Sequence, residues 1–224
     1  MSAPLPSPGG GVRHGDCVRL MRRLDSESVD FILTDPPYLC RYRDRHGRTV
    51  RNDDNDRWLV PAFAEMHRLM KPDSLCVSFY GWHAIDRFMA AWRAAGLRPV
   101  GHLVFRKSYA SSTRFLAHEH EQAYLLAKGE PALPRAPIPD VREWVYTGNR
   151  HHPTEKPVEV LRPIVEAFCQ PGGLVLDPFC GSGSTLLAAR ACGRGFLGIE
   201  LDHRHHRTAR LRLGGGADIR PRAA

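Results

Sequence analysis

The sequence predicts an α/β fold, a mostly parallel sheet with helices on both faces. Three observations predict it. Short apolar runs alternate with longer amphipathic stretches, the pattern of strands joined by crossover helices. Two of the apolar runs end in an acidic residue followed by proline, at Asp35 and Asp177. The second continues through glycines into a helix-like run and a further strand. That layout suits a sheet holding a nucleotide-like ligand at its carboxyl edge. At 224 residues the chain is long enough for one domain with a substantial core.

In chain order, residues 1–11 are rich in Pro, Gly and Ser. They have no cationic start and no apolar stretch, so a disordered tail is expected rather than a signal peptide. Gly15-Asp16-Cys17 precedes a first helix-like run. Residues 29–34, VDFILT, read as an apolar strand. Residues 39–57, LCRYRDRHGRTVRNDDNDR, are polar and too irregular for a strand or a regular helix. Apolar periodicity gives a helix over 59–70, a strand over 75–79, a helix over 83–95 and a strand over 99–105. The strand at 121–127 follows closely enough to run antiparallel to the one before it. Residues 129–150 form a Pro-rich connector too short for a domain. A helix over 158–168 leads to the strand at 174–177; beyond the glycines, 186–190 reads as helix and 196–199 as strand. The domain is expected over 12–212, with a loose tail at 213–224.

Chemistry concentrates at Asp35-Pro36-Pro37-Tyr38. The prolines fix their own φ and restrict the residue before each. A carboxylate, carbonyls and an aromatic ring are thereby held in one patch. An exocyclic amine on a nucleobase is a poor nucleophile because its lone pair is delocalised into the ring. Acceptors on its two hydrogens, the Asp35 carboxylate and the Pro36 carbonyl, would localise that pair while Tyr38 stacks on the base.

The second centre is Asp177-Pro178-Phe179-Cys180-Gly181-Ser182-Gly183, with Glu200 ending the next strand. An acid in that position suits ribose hydroxyls. The loop lacks the Gly-x-Gly-x-x-Gly spacing that seats a pyrophosphate. An acidic loop suits a cofactor with an ammonium and a sulfonium, which points to S-adenosylmethionine.

With these motifs the sequence resembles the amino-methylating (N6-adenine/N4-cytosine) DNA methyltransferases. Asp35-Pro36-Pro37-Tyr38 matches their catalytic motif and Asp177 to Gly183 their cofactor loop. His152-Pro153-Thr154-Glu155-Lys156-Pro157 and Gly15-Asp16-Cys17 match two more. The catalytic motif precedes the cofactor loop, the order of the β class. The resemblance spans about 12–212 and implies a Rossmann-like S-adenosylmethionine-dependent methyltransferase fold. Its sheet would have seven strands, one antiparallel, with the Asp35 and Asp177 strands adjacent. It implies that Asp35, Pro36, Pro37 and Tyr38 hold the target base. Asp177, Phe179, Gly181, Ser182 and Gly183 would line the cofactor pocket, and Glu200 would bind the ribose. Asp16 and Cys17 would lie near the cofactor adenine, and Thr154, Lys156 and Pro157 near its methionine end.

Lys plus Arg number 32 against 24 acidic residues, a formal net charge of +8, which favours a polyanionic partner such as duplex DNA. Candidate contacts are Arg41, Arg43, Arg45, Arg48, Arg51 and Asn52 in the 39–57 loop, and Lys107, Ser111 and Arg114 in 106–115. The 39–57 loop is also the candidate to fill the gap left by a flipped base. The Pro-rich connector is too short for a separate target-recognition domain, so specificity lies in these loops, or recognition is relaxed, or a second subunit supplies it; a homodimer is expected. A cognate restriction endonuclease is not readable from the chain.

The function expected is site-specific transfer of a methyl group to adenine N6 on a flipped base. Asp at the first motif position leans toward adenine, since the cytosine enzymes more often carry Ser there. Cytosine-N4 methylation and a catalytically inactive DNA-binding relative are the alternatives; the protein-glutamine methylases typically carry Asn first. Six cysteines without a Cys-x-x-Cys pair argue against zinc and disulfides. No Pro-Cys nucleophile is present. Histidines after Asp202 sit at i, i+2 on a helix, pointing apart, so no metal is expected. No apolar run reaches the roughly 20 residues of a membrane span, and a cytoplasmic location is expected.

Overall fold

The structure, a computed structural model, describes residues 10–43, 47, 49–113, 115–145 and 155–214. Strands and helices alternate along the first part of the chain: β1 (Gly11–His14), α1 (Cys17–Met21), β2 (Val29–Thr34), α2 (Leu59–Leu69), β3 (Met70–Phe79) and α3 (Ile85–Ala94). Three strands follow, β4 (Arg98–Arg106), β5 (His120–Lys128) and β6 (Val141–Glu143). The chain then continues through α4 (Val158–Phe168), β7 (Leu174–Asp177), α5 (Ser184–Ala191), β8 (Gly195–Glu200) and α6 (His203–Arg212).

The strands form a single sheet in the order β1-β8-β7-β2-β3-β5-β4-β6. Only β5 runs antiparallel to its neighbours, β3 and β4. The described residues therefore give eight strands rather than the expected seven. Two of them, β1 and β6, escaped the sequence reading. They are edge strands of four and three residues, half-exposed or exposed, and carry no alternation to read. Gly11, expected in the N-terminal tail, pairs with Leu197. The 129–150 connector contains β6, which pairs with the end of β4.

Period-two alternation sends successive side chains to opposite layers. Ile32 of β2 enters the core with Phe63, Met66 and Trp92 from α2 and α3. Its neighbours Phe31 and Leu33 enter the other core with Ile164 and Val165 of α4 and Leu186 of α5. Burial on both faces is why β2 reads as a nearly continuous apolar run. β2 lies between β3 and β7, and its register pairs Ile32 with Leu176. Asp35 and Asp177 therefore end up side by side at the carboxyl edge, where open α/β sheets bind ligands.

Candidate active site

Asp35 leaves the end of β2 into a buried polar cluster. Its carboxylate is 2.7 Å from Lys156 Nζ and accepts a 2.9 Å hydrogen bond from the Tyr38 hydroxyl. Lys156 also donates to the Tyr38 oxygen at 3.1 Å. Its ammonium sits over the rings of Phe79 and Tyr38, 4.9 and 5.2 Å from their centroids. Lys156 is fixed immediately before Pro157, the N-cap residue of α4. Burial raises the Asp35 pKa, and Lys156 and Tyr38 only partly offset that rise. The Tyr38 phenol is pushed well above its usual range by burial and by Asp35 and Glu121, so it stays protonated.

Sequence reasoning missed a second carboxylate here. Glu121, at the start of β5, lies 3.3 Å from the Tyr38 hydroxyl. The hydroxyl has one hydrogen to give, and Asp35 is the closer acceptor. Lys107 pairs with Glu121 at 2.5 Å and is buried. Burial alone would raise the Glu121 pKa, but Lys156 and Lys107 outweigh it and the net shift is downward. The two carboxylates thus titrate apart. The signal that could have found Glu121 is topological: an antiparallel strand begins at the edge where its parallel neighbours end. Lys107, expected to grip a DNA strand, is instead an internal counter-ion. Ser111 is exposed, and its hydroxyl donates to the His118 carbonyl at 3.1 Å.

A pocket opens beside this cluster, lined by Asp16, Cys17, Lys156, Phe179, Gly181, Ser182 and Glu200 along with Asp35 to Tyr38. Asp177 forms its floor, almost fully buried. Its carboxylate accepts from Thr34 Oγ1 and the Phe179 amide, both at 3.1 Å. Burial pushes its pKa up to about 7, with hydrogen bonds from Thr185, Phe179 and Thr34 holding it back. Glu200 accepts from the Gly181 amide at 2.9 Å and the Asp202 amide at 2.6 Å, which ties the glycine loop to the end of β8. Burial raises the Glu200 pKa against those bonds. Asp16 caps α1, accepting from the Arg19 amide at 2.8 Å. Burial raises the adjacent Cys17 thiol to about 12, a packing group rather than a nucleophile. Phe179 meets the edge of Trp58 at 5.0 Å, giving the pocket an aromatic wall.

Two expected pocket residues do not line it. Pro157 is buried as the cap of α4. Gly183 adopts φ +86° at the start of α5, and a Cβ there would sit 3.1 Å from the Ala209 Cβ of α6. It shapes the turn from behind. Thr154, Arg45, Arg48 and Arg114 lie outside the described residues.

The described part of the 39–57 loop turns to the pocket. Cys40, Tyr42, Val50, Arg51 and Asn52 line it. Buried Asp53 fastens the loop by accepting from the amides of Tyr42 at 2.6 Å and Cys40 at 3.3 Å. Arg51 pairs with Asp202 at 3.4 Å. Arg51 and Asn52, expected to contact DNA, border the pocket, because basic and amide side chains in a loop do not reveal which side the loop takes. Arg41 and Arg43 remain exposed.

The donor set fits a cationic, ribose-bearing ligand: Asp16, Asp177, Glu200 and Asp202 ring an aromatic wall. Among the described residues no group of His, Cys, Asp and Glu could hold a metal ion. None of their helices is long and apolar enough to cross a membrane.

The DNA methylase family model for N6/N4 enzymes matches residues 29–211. The chain belongs to this family. Its methyl donor is S-adenosylmethionine and its substrate is DNA. "Putative methylase YubD" of Escherichia coli (strain K12) is 58% identical over 199 residues, covering 89% of this chain and 88% of that protein. The type II methyltransferase M2.DpnII of Streptococcus pneumoniae is 26% identical over 235 residues, covering 89% and 88%. In fold, the methylase resembles M1.HpyAVI in complex with SAM, with TM-score 0.72, 23% identity and coverage of 91% and 98%. It also resembles the cytosine-N4-specific PvuII DNA methyltransferase, with TM-score 0.75, 16% identity and coverage of 96% and 88%.

Proposed function

We propose that this DNA methylase modifies the N6 amine of adenine, extruded from the duplex into the Asp35–Tyr38 cluster. The observation that carries the reading is the first motif residue. Asp35 offers a carboxylate already paired with Lys156 and the Tyr38 hydroxyl. An amine donating its hydrogens to Asp35 and the Pro36 carbonyl is drawn toward tetrahedral geometry, and its lone pair becomes available. S-adenosylmethionine, when bound, supplies the electrophilic methyl group. Asp35 stabilises the positive charge that develops on the amine nitrogen, in a site where burial strengthens that interaction. The nitrogen then gives up a proton, and the raised affinity of Asp35 for protons favours its uptake there. Lys156 orients the Asp35 carboxylate. Asp177, Glu200 and Asp16 would hold the cofactor's polar groups, and Phe179 its adenine ring.

Exposed Arg41 and Arg43 would contact phosphates, and a homodimer would supply the recognition surface a separate domain gives larger relatives. Sedimentation showing a fully active monomer at micromolar concentration overturns the dimer.

Nucleoside mass spectrometry of DNA from a methylation-free host tests the reaction, with methylation-aware sequencing to locate the site. N6-methyladenine is expected with the wild type and not with Asp35→Ala, whose cofactor affinity stays within about threefold while turnover falls at least about 10³-fold. N4-methylcytosine would overturn the choice of base. Parallel loss of cofactor binding in the variant would overturn the role given to Asp35.

A further inference from the structure

The connection between β4 and β5 is the part of the fold that the cofactor and the catalytic motif do not use. Because β5 is antiparallel to both β3 and β4, β4 runs the same way as β2 and ends at the same sheet edge as Asp35. The connection continues beyond that edge as a narrow hairpin. The Lys107 amide donates to the Glu119 carbonyl at 2.6 Å, the Ser111 amide to His118 at 2.8 Å and the His118 amide to Ser112 at 2.9 Å. Thr113 forms an antiparallel bridge with Ala117.

The base of the hairpin is tied to the catalytic tetrapeptide on two sides. Lys107 holds Glu121, which reaches the Tyr38 hydroxyl. The His118 ring stacks on Trp82 at 5.4 Å and 24°. Trp82 follows Gly81, where a Cβ would lie 2.5 Å from the Tyr38 carbonyl oxygen, so only glycine allows that approach. The tip is different. Phe115 is 103% exposed and Leu116 74% exposed. Leaving such side chains in water forgoes the stabilisation their burial would give. A hairpin braced at its base against Tyr38, with an unburied apolar tip, has the properties of a wedge.

We propose that the tip of this hairpin enters the duplex during methylation and that Phe115 takes the place of the extruded base, with Leu116 beside it. An aromatic ring stacks on either neighbouring base without regard to sequence, and the +8 charge of the chain draws the duplex to it. This assigns to Phe115 the gap-filling role expected of the 39–57 loop, whose described part is turned to the pocket. The inference rests on base extrusion at Asp35–Tyr38 and is independent of which base is extruded.

The test compares wild type, Phe115→Ala and Phe115→Trp in the full chain. The substrate is an oligonucleotide duplex carrying the site found by sequencing, with the target base either correctly paired or mispaired. A mispaired base costs less to extrude. Phe115→Ala is therefore expected to lose about tenfold or more in kcat/KM on the paired duplex and less than about threefold on the mispaired one. Phe115→Trp retains activity on both. Equal losses on the two substrates, or no loss on either, overturn the wedge. So does a shift from dimer to monomer on sedimentation of Phe115→Ala, which would make the tip a subunit contact. If the methylated base is cytosine, the adenine reading falls and the wedge result is still read in the same way.

Discussion

Asp35, Tyr38, Glu121, Lys107 and Lys156 act as one electrostatic unit, so substitutions there should be read through their neighbours. Glu121 raises the Asp35 pKa by its negative charge. Glu121→Gln keeps the shape and removes that charge, so Asp35 ionises at lower pH. The acid limb of the pH–kcat profile is expected to move down, with cofactor affinity unchanged. A merely structural role for Glu121 would lower kcat without moving the limb. Asp177 carries the other pH dependence. Its pKa is about 7 in the folded protein, against roughly 3.9 for an unfolded aspartate. The folded state then binds more protons between those values. Stability of the cofactor-free protein is thus lost as pH rises through that window. A bound cation favours the ionised form, so cofactor affinity should rise about tenfold per pH unit below about 7. Calorimetric titration at pH 5.5 to 7, beside thermal unfolding of the cofactor-free protein, checks both signs. Asp177→Asn should flatten both dependences.

At the scale of elements, the turn between β7 and α5 sets the position of the glycine loop. Gly183 holds φ +86° with Ala209 close behind it. Gly183→Ala combines a left-handed alanine with a tight contact and should cost about 1–3 kcal/mol. The expected readout is a lower midpoint in urea together with weaker cofactor binding, because the strain falls on the segment carrying Gly181 and Ser182. Such long-range consequences mark what the sequence could tell. α2, α3, α4 and the strands around Ile32, Val77 and Leu176 were legible because period and burial agree along them. The motifs were legible because proline and glycine leave short fixed patterns. The Lys107–Glu121 pair and the contacts of Tyr38 with Lys156 were not, since they join residues far apart in the chain. The side taken by the 39–57 loop was not legible either. It depends on Asp53 finding the Cys40 and Tyr42 amides, a loop-internal fit that no periodicity announces.

For the whole molecule, the exposed cations and the pocket divide the charge. Arg51 is occupied by Asp202 and Lys107 by Glu121, while Arg41 and Arg43 stay at the surface. Replacing both surface arginines with alanine should weaken duplex binding about equally across sequences. It should also reduce the slope of log K against log salt by about 0.9 for each phosphate that is no longer neutralised. A salt series by fluorescence anisotropy measures this directly, and an unchanged slope would move the phosphate-binding role elsewhere. The order of the sheet also has a consequence for how the chain is made. β2 stands between β3 and β7, and Phe31 pairs with Val175, 144 positions later. β1 has no strand partner until β8 arrives. At about 5–20 residues per second, the VDFILT edge of β2 waits roughly 7–30 seconds for its neighbour β7. During that interval the nascent chain carries an open apolar edge able to pair with another chain. The candidate site of the newborn protein stays unfinished until β7 and β8 have slid between β1 and β2.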